Sequence, residues 1–161
     1  MNFEQAVEIN APLEIVWPVM VDVECWSQWT ASITEVVRLD SGPIAVGSRA
    51  RIRQPRLPKA IWTVTQFVPN SGFVWENKSL GVYIAGEHWI SSEGDGRSKV
   101  LLRLRQSGFL ATILSPLTAG LIRTYMNMEA LGLKKRCESL TAAARRGLPP
   151  ESDTTPPAKA P

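Results

Sequence analysis

The sequence predicts an α+β fold in which a curved antiparallel sheet is covered by one long C-terminal helix. Three observations lead there. Between residues 33 and 106 apolar residues recur at period two in short runs, each closed by a turn signal. A continuous helical pattern then runs from Pro116 to Ala144. Before the runs, only residues 13 to 29 read as helical, so the terminal helix must cover the apolar sheet face almost alone. If the sheet is curved, helix and sheet enclose a space between them.

Taken in order, Asn2 to Asn10 alternate weakly, with Phe3, Val7 and Ile9 apolar between Glu4 and Glu8, and form a first strand. Ala11-Pro12 starts a helix, because proline suits the first helical turn. This helix, Leu13 to about Val23, carries Val16, Val19, Met20 and Val23 on one side, and Pro18 predicts a kink or an early stop. Glu24 to Trp29 forms a second short helix. Strands follow at 33–39, 47–54, 60–68, 72–79, 82–91 and 98–106. They are separated by Ser41-Gly42-Pro43, Pro55 to Pro58, Pro69 to Gly72, Leu80-Gly81 and Gly94-Asp95-Gly96. Such tight connections predict an antiparallel meander. Gly108 to Leu114 reads as a separate short helical connector, after which Ser115-Pro116 supplies an N-cap and a first-turn proline. Residues 1–146 are expected to form a single domain, and the Pro-rich tail 147–161 to be disordered, since it has too little apolar surface to offset its ordering entropy.

Composition narrows the functional classes. With 44% hydrophobic and 20% charged residues the chain is ordinarily globular, and its net charge of +3 is mild. Arg49, Arg51 and Arg53 alternate along one strand, and Arg103 and Arg105 along another. That spacing gives a solvated sheet face rather than a phosphate-tracking run, so no nucleic-acid partner is expected. Cys25 and Cys137 match no metal spacing, and Cys137 falls on the apolar side of the last helix, as a buried thiol would. The first residues lack the features of a signal peptide, and no apolar run reaches the ~18 residues of a membrane span. A soluble cytoplasmic protein without stable membrane insertion is the expectation. Oligomeric state is not legible.

Stepping 100° per residue along the last helix puts Arg123, Asn127, Lys134 and Glu138 on a solvent arc. Leu117, Leu121 and Met128 form one apolar flank; Ile122, Met126, Leu133, Cys137 and Leu140 form the other. Between them, pointing inward, lie Thr118, Tyr125, Glu129, Gly132 and Arg136. An inward carboxylate is costly unless it is paired. Glu129 therefore either bonds backbone amides or an arginine to fix the helix, or meets a water-containing cavity and orients a ligand. Gly132 costs the helix about 1 kcal/mol relative to alanine, which predicts close packing against another backbone. His88, the single histidine, shares a strand face with Ile84, Gly86 and Ile90, while Glu87 faces away. It is either a core histidine satisfied by a neighbour or a ligand-contacting, acid-base group. Most of the six tryptophans are expected in the core. Indoles at a cavity rim would suit a flat aromatic or terpenoid ligand.

No nucleophile elbow, phosphate loop, dinucleotide fingerprint or zinc motif is present. Any chemistry would rest on a few cavity side chains, with no cofactor and no metal.

Together these residues resemble the START-like, or helix-grip, superfamily, and within it the polyketide cyclase/dehydrase-like proteins. The matching stretches are Ile9 to Pro12 with Val16-Trp17, then Asp22, Trp26 to Trp29, Gly47-Ser48, Trp62 to Val64, Pro69, Phe73 to Trp75, Glu87-His88 and Glu129 to Lys134. The resemblance implies a seven-stranded sheet wrapped around the C-terminal helix, two small helices closing one end, and a hydrophobic ligand such as a lipid, sterol or polyketide between them. It implies ligand contacts from Trp26, Trp29, Trp62, Phe73, Trp75, His88, Leu121, Tyr125, Met128 and Glu129. For the minority of relatives that are aromatase/cyclases, it makes His88, Tyr125 and Glu129 the candidate catalytic residues. The strand arginines point outward, unlike the pocket arginines some cyclases use. Binding of a small hydrophobic molecule is the leading expectation; cyclisation or dehydration of a polyketide-like substrate, or a collapsed interaction module, are the alternatives.

Overall fold

The computed structural model describes residues 1–79 and 81–147. The tail expected to be disordered lies, from residue 148 onward, outside the described residues, as does Leu80 of the Leu80-Gly81 turn. β1 (Asn2–Ile9) leads into α1 (Leu13–Val21) and a 3-10 helix, Val23–Gln28. Then come β2 (Glu35–Arg38), β3 (Arg49–Arg53), β4 (Ala60–Val68), β5 (Gly72–Ser79), β6 (Val82–Gly94) and β7 (Arg97–Ser107), and the long α2 (Phe109–Arg145). The seven strands form one antiparallel sheet in the order β1-β7-β6-β5-β4-β3-β2. This is the helix-grip fold, with the two short helices between β1 and β2.

Period-two alternation decides what each strand offers to α2. On β3, Ala50 and Ile52 are buried while Arg49, Arg51 and Arg53 are exposed, which is the expected solvated stripe. Register aligns the inward residues into rows: Phe73 stands opposite His88, which stands opposite Leu102, and Trp75 stands opposite Gly86, which stands opposite Leu104. Register shifts between Val64 and Gln66, and between Ser92 and Gly94, mark bulges where the strands bend.

Two expectations about the last helix are corrected. Residues 109–114 are not a separate connector. β7 ends at Ser107, and after Gly108 the helix begins at Phe109 and runs 37 residues to Arg145, about 55 Å. Gly108 makes the reversal possible: its φ is 105°, and a Cβ there would lie 2.2 Å from the Gly81 carbonyl oxygen. The second correction concerns the faces. Ile122, Met126, Leu133 and Cys137 are buried as expected, joined by Ala119 and Ala130. The opposite flank is not buried: Leu117 is 81% exposed, Leu131 53% and Met128 38%. The helix is apolar on both sides, and periodicity by itself could not say which side meets the sheet.

Gly132 sits where its sequence context required close approach. A Cβ there would be 2.1 Å from the carbonyl oxygen of Trp29, so α2 lies directly on the chain leaving the 3-10 helix. Further along, Glu138 accepts hydrogen bonds from the Asn10 backbone N–H and side-chain amide, each at 2.9 Å, and pairs with Lys134, which also donates to the Glu8 carbonyl. These bonds fasten the C-terminal half of α2 to the end of β1.

Candidate functional site

The inner face of β5–β7 supplies the floor of the site and α2 its roof. His88 on β6 is 6% exposed, and its ring stacks on Phe73 with centroids 4.7 Å apart and planes inclined by 9°. Trp26, from the 3-10 helix, lies 5.1 Å away, and Trp75 stands edge-on at 5.6 Å. Three aromatic side chains therefore hold the imidazole in one orientation. From above, Glu129 of α2 meets it, with Oε1 2.8 Å from Nε2. The Glu129 side chain is 16% exposed and that of His88 8%, so this is a partly dehydrated pair. A carboxylate accepts only, so Nε2 carries the proton in this contact. His88 Nδ1 is buried and has no hydrogen-bond partner among the described residues.

Two adjoining chambers open beside the pair. The inner one, about 70 Å³, lies among Trp26, Ile52, Trp62, Trp75, His88 and Leu102. The outer one, about 140 Å³, lies under Leu57, Ile84, Thr118, Ile122 and Tyr125. Gln54, Trp62, Leu104, Met126 and Glu129 border both, so Glu129 stands at the junction. Both chambers are smaller than the ~300 Å³ at which drug-sized pockets begin. An engineered apolar cavity of about 150 Å³ binds benzene, which sets the scale for the outer chamber.

The sequence candidates divide accordingly. Trp26, Trp62, Trp75, His88, Tyr125 and Glu129 line the chambers. Trp26 is buried in the core rather than at a rim, and its indole N–H donates to the Met20 carbonyl. Tyr125 donates its hydroxyl proton to the Pro55 carbonyl, tying α2 to the β3–β4 loop. Phe73 acts through His88, as its stacking partner. Trp29 packs on Gly132 and on Trp26 and borders neither chamber. Leu121 and Met128 belong to the outer side of α2 and also border neither. Among the described residues Glu129 bonds neither an arginine nor a backbone amide; it bonds histidine.

Periodicity left several wall residues unnamed as candidates. Ile84, Leu102 and Leu104 share the inward face with His88 and were recoverable from alternation. Gln54, two residues after Ile52, continues the inward alternation just past the end of β3 and was recoverable too, whereas Leu57 lies in the loop beyond, where no period operates. Gln54 is fixed by a bond from its amide to the Ser32 carbonyl, 3.2 Å. Elsewhere, Cys137 is fully buried, and burial, against the nearby Arg136, pushes its thiol up to about 12. Among the described residues no three His, Cys, Asp or Glu side chains converge as metal ligands would, and no helix is long and apolar enough to cross a membrane.

A seven-stranded sheet gripping a terminal helix over an aromatic-walled cavity defines the START-like class of protein. The sequence matches the family described as polyketide cyclase/dehydrase and lipid transport over residues 1–141, and the chain belongs to that family. Among solved structures it is similar to a START superfamily protein from Mycobacterium smegmatis, with 18% identity, a TM-score of 0.71, and coverage of 86% of this chain and 98% of the other. A hypothetical protein from Helicobacter pylori gives 12% identity, a TM-score of 0.74, and coverage of 85% and 88%. An aromatase/cyclase from Streptomyces sp. R1128 gives 16% identity, a TM-score of 0.65, and coverage of 91% and 95%. No curated protein matches the sequence.

Proposed function

We propose that the protein binds a small hydrophobic molecule, polyketide- or isoprenoid-like, in the cavity between the sheet and α2. The observation that supports this best is the pair of joined chambers, whose walls are aromatic and aliphatic except for a few placed polar groups. Their size favours a ligand of one or two rings over a phospholipid. Native mass spectrometry of protein purified from its own host tests this directly: a co-purifying small molecule is expected. Because Trp26, Trp62 and Trp75 form the inner walls, apolar probes should also change the tryptophan fluorescence. A flat titration with a range of such probes, and an empty mass spectrum, would overturn the reading.

A second reading, cyclisation or dehydration of a polyketide-like substrate, is favoured by the His88–Glu129 pair, which has the form of a base and its orienting carboxylate. Three features rank it second. Nδ1, the nitrogen left to accept a proton, is buried and has no hydrogen-bond partner among the described residues. The Tyr125 proton is already engaged by Pro55. Arg103, the described arginine that borders the inner chamber, is bonded through Nε to Glu4. Turnover of candidate polyketides that is unchanged in His88→Ala would remove this residue from any mechanism.

A further inference from the structure

The two chambers carry an electrostatic asymmetry that selects among apolar ligands. Of the residues bordering them, His88, Glu129, Glu87 and Arg103 can bear charge. The side chains of the last two lie on the outer face of the sheet. Arg103 Nε bonds Glu4 at 2.7 Å, and Glu87 pairs with Arg105 and accepts from the Trp89 indole. Both border only the inner chamber, and their charged groups are engaged in these outer-face pairs. His88 directs its Nε2 proton to Glu129, and its Nδ1 is enclosed. What the junction presents is therefore the Glu129 carboxylate, with Oε1 held by His88. No lysine or arginine side chain among the described residues stands ready to receive an anion there.

From this we infer that the ligand is a neutral molecule of one or two rings carrying a hydroxyl group that donates to Glu129, and not a carboxylate. The inference rests on the cavity-binding function proposed above and adds the chemical class. A donor near Glu129 gains a charge-assisted hydrogen bond. A carboxylate in the same place would lose its hydration beside a like charge, with no lysine or arginine among the described residues to compensate. The His88 contact serves the recognition by holding one carboxylate oxygen and so fixing the direction of the other. It also gives Glu129 a partner when no ligand is bound, which is why a carboxylate is tolerated this deep in an apolar site.

Isothermal titration with 2-naphthol, naphthalene and 2-naphthoate separates the possibilities, since the three share one ring system. At neutral pH, 2-naphthol should bind at least about tenfold more tightly than 2-naphthoate, with naphthalene between them. Glu129→Gln keeps an oxygen for His88 Nε2 but removes the charge, and should shrink the spread between the three probes. Thermal melts confirm that the variant is folded; the comparison in the unaltered protein stands without it. Naphthoate binding as tightly as naphthol overturns this inference and leaves cavity binding in place. If none of the three binds, the cavity function fails and the inference with it.

Discussion

At the scale of single residues, Glu129 is the group on which the site depends. Its carboxylate is deep enough that it needs His88, and His88 needs it, because Nε2 has no other partner among the described residues. Glu129→Ala should therefore lower stability by about 2 kcal/mol, the cost of a buried donor left unpaired, measurable by urea denaturation. Glu129→Gln should lose distinctly less. Gly132→Ala should cost about 1–3 kcal/mol despite the better helix propensity of alanine, because the added methyl meets the Trp29 carbonyl. A melting temperature equal to or above that of the parent would show that α2 does not lie on this backbone. Cys137, with its thiol raised by burial, should resist alkylation in the folded protein and react on unfolding, as peptide mass spectrometry can follow.

At the scale of elements, the clamp between α2 and β1 makes a pH-dependent prediction. Burial raises the Glu138 carboxyl, but the Asn10 backbone N–H and Lys134 outweigh it, so the net shift is below the ordinary value of 4.5. A group lowered in the folded state stabilises it above the unfolded value and ceases to do so as pH falls through the folded one. Glu138→Gln should thus reduce stability at pH 7 by about 0.5 kcal/mol, a modest figure because the pair is solvent-screened. In melts near pH 3 the difference from the parent should have closed. The elements also show what the sequence makes legible. Strands β3 to β7 stand almost where alternation and turn residues put them, because one face is buried and register is then strongly specified. The direction of α2 was less legible: Leu117, Leu121, Met128 and Leu131 give it a second apolar side, and only tertiary contact shows that Ala119, Ile122, Met126 and Leu133 face the sheet. That ambiguity is why Leu121 and Met128 entered the candidate site and Met126 and Ile122 did not. His88, Glu129 and Tyr125 were accessible because polar residues on an inward period stand out. Their mutual contacts were not, since a hydrogen bond between residues 41 positions apart depends on how α2 is seated over β6.

At the scale of the whole molecule, the helix-grip fold converts the misfit between a straight helix and a bent sheet into enclosed volume. Aromatic side chains fill much of it: Trp26, Phe73, Trp75 and His88 form one contiguous cluster. The remainder is small, and the ligand is expected to match it. The central claim is that this remaining volume is where binding occurs. Ile122→Trp places an indole in the outer chamber from the α2 side while leaving His88 and Glu129 in place. The most direct measurement is calorimetric titration of naphthalene into the parent and this variant, with melting curves to confirm that both are folded. Saturable binding to the parent is expected, weakened at least about tenfold in the variant. Equal affinity for the two proteins would place the binding elsewhere and contradict the central claim.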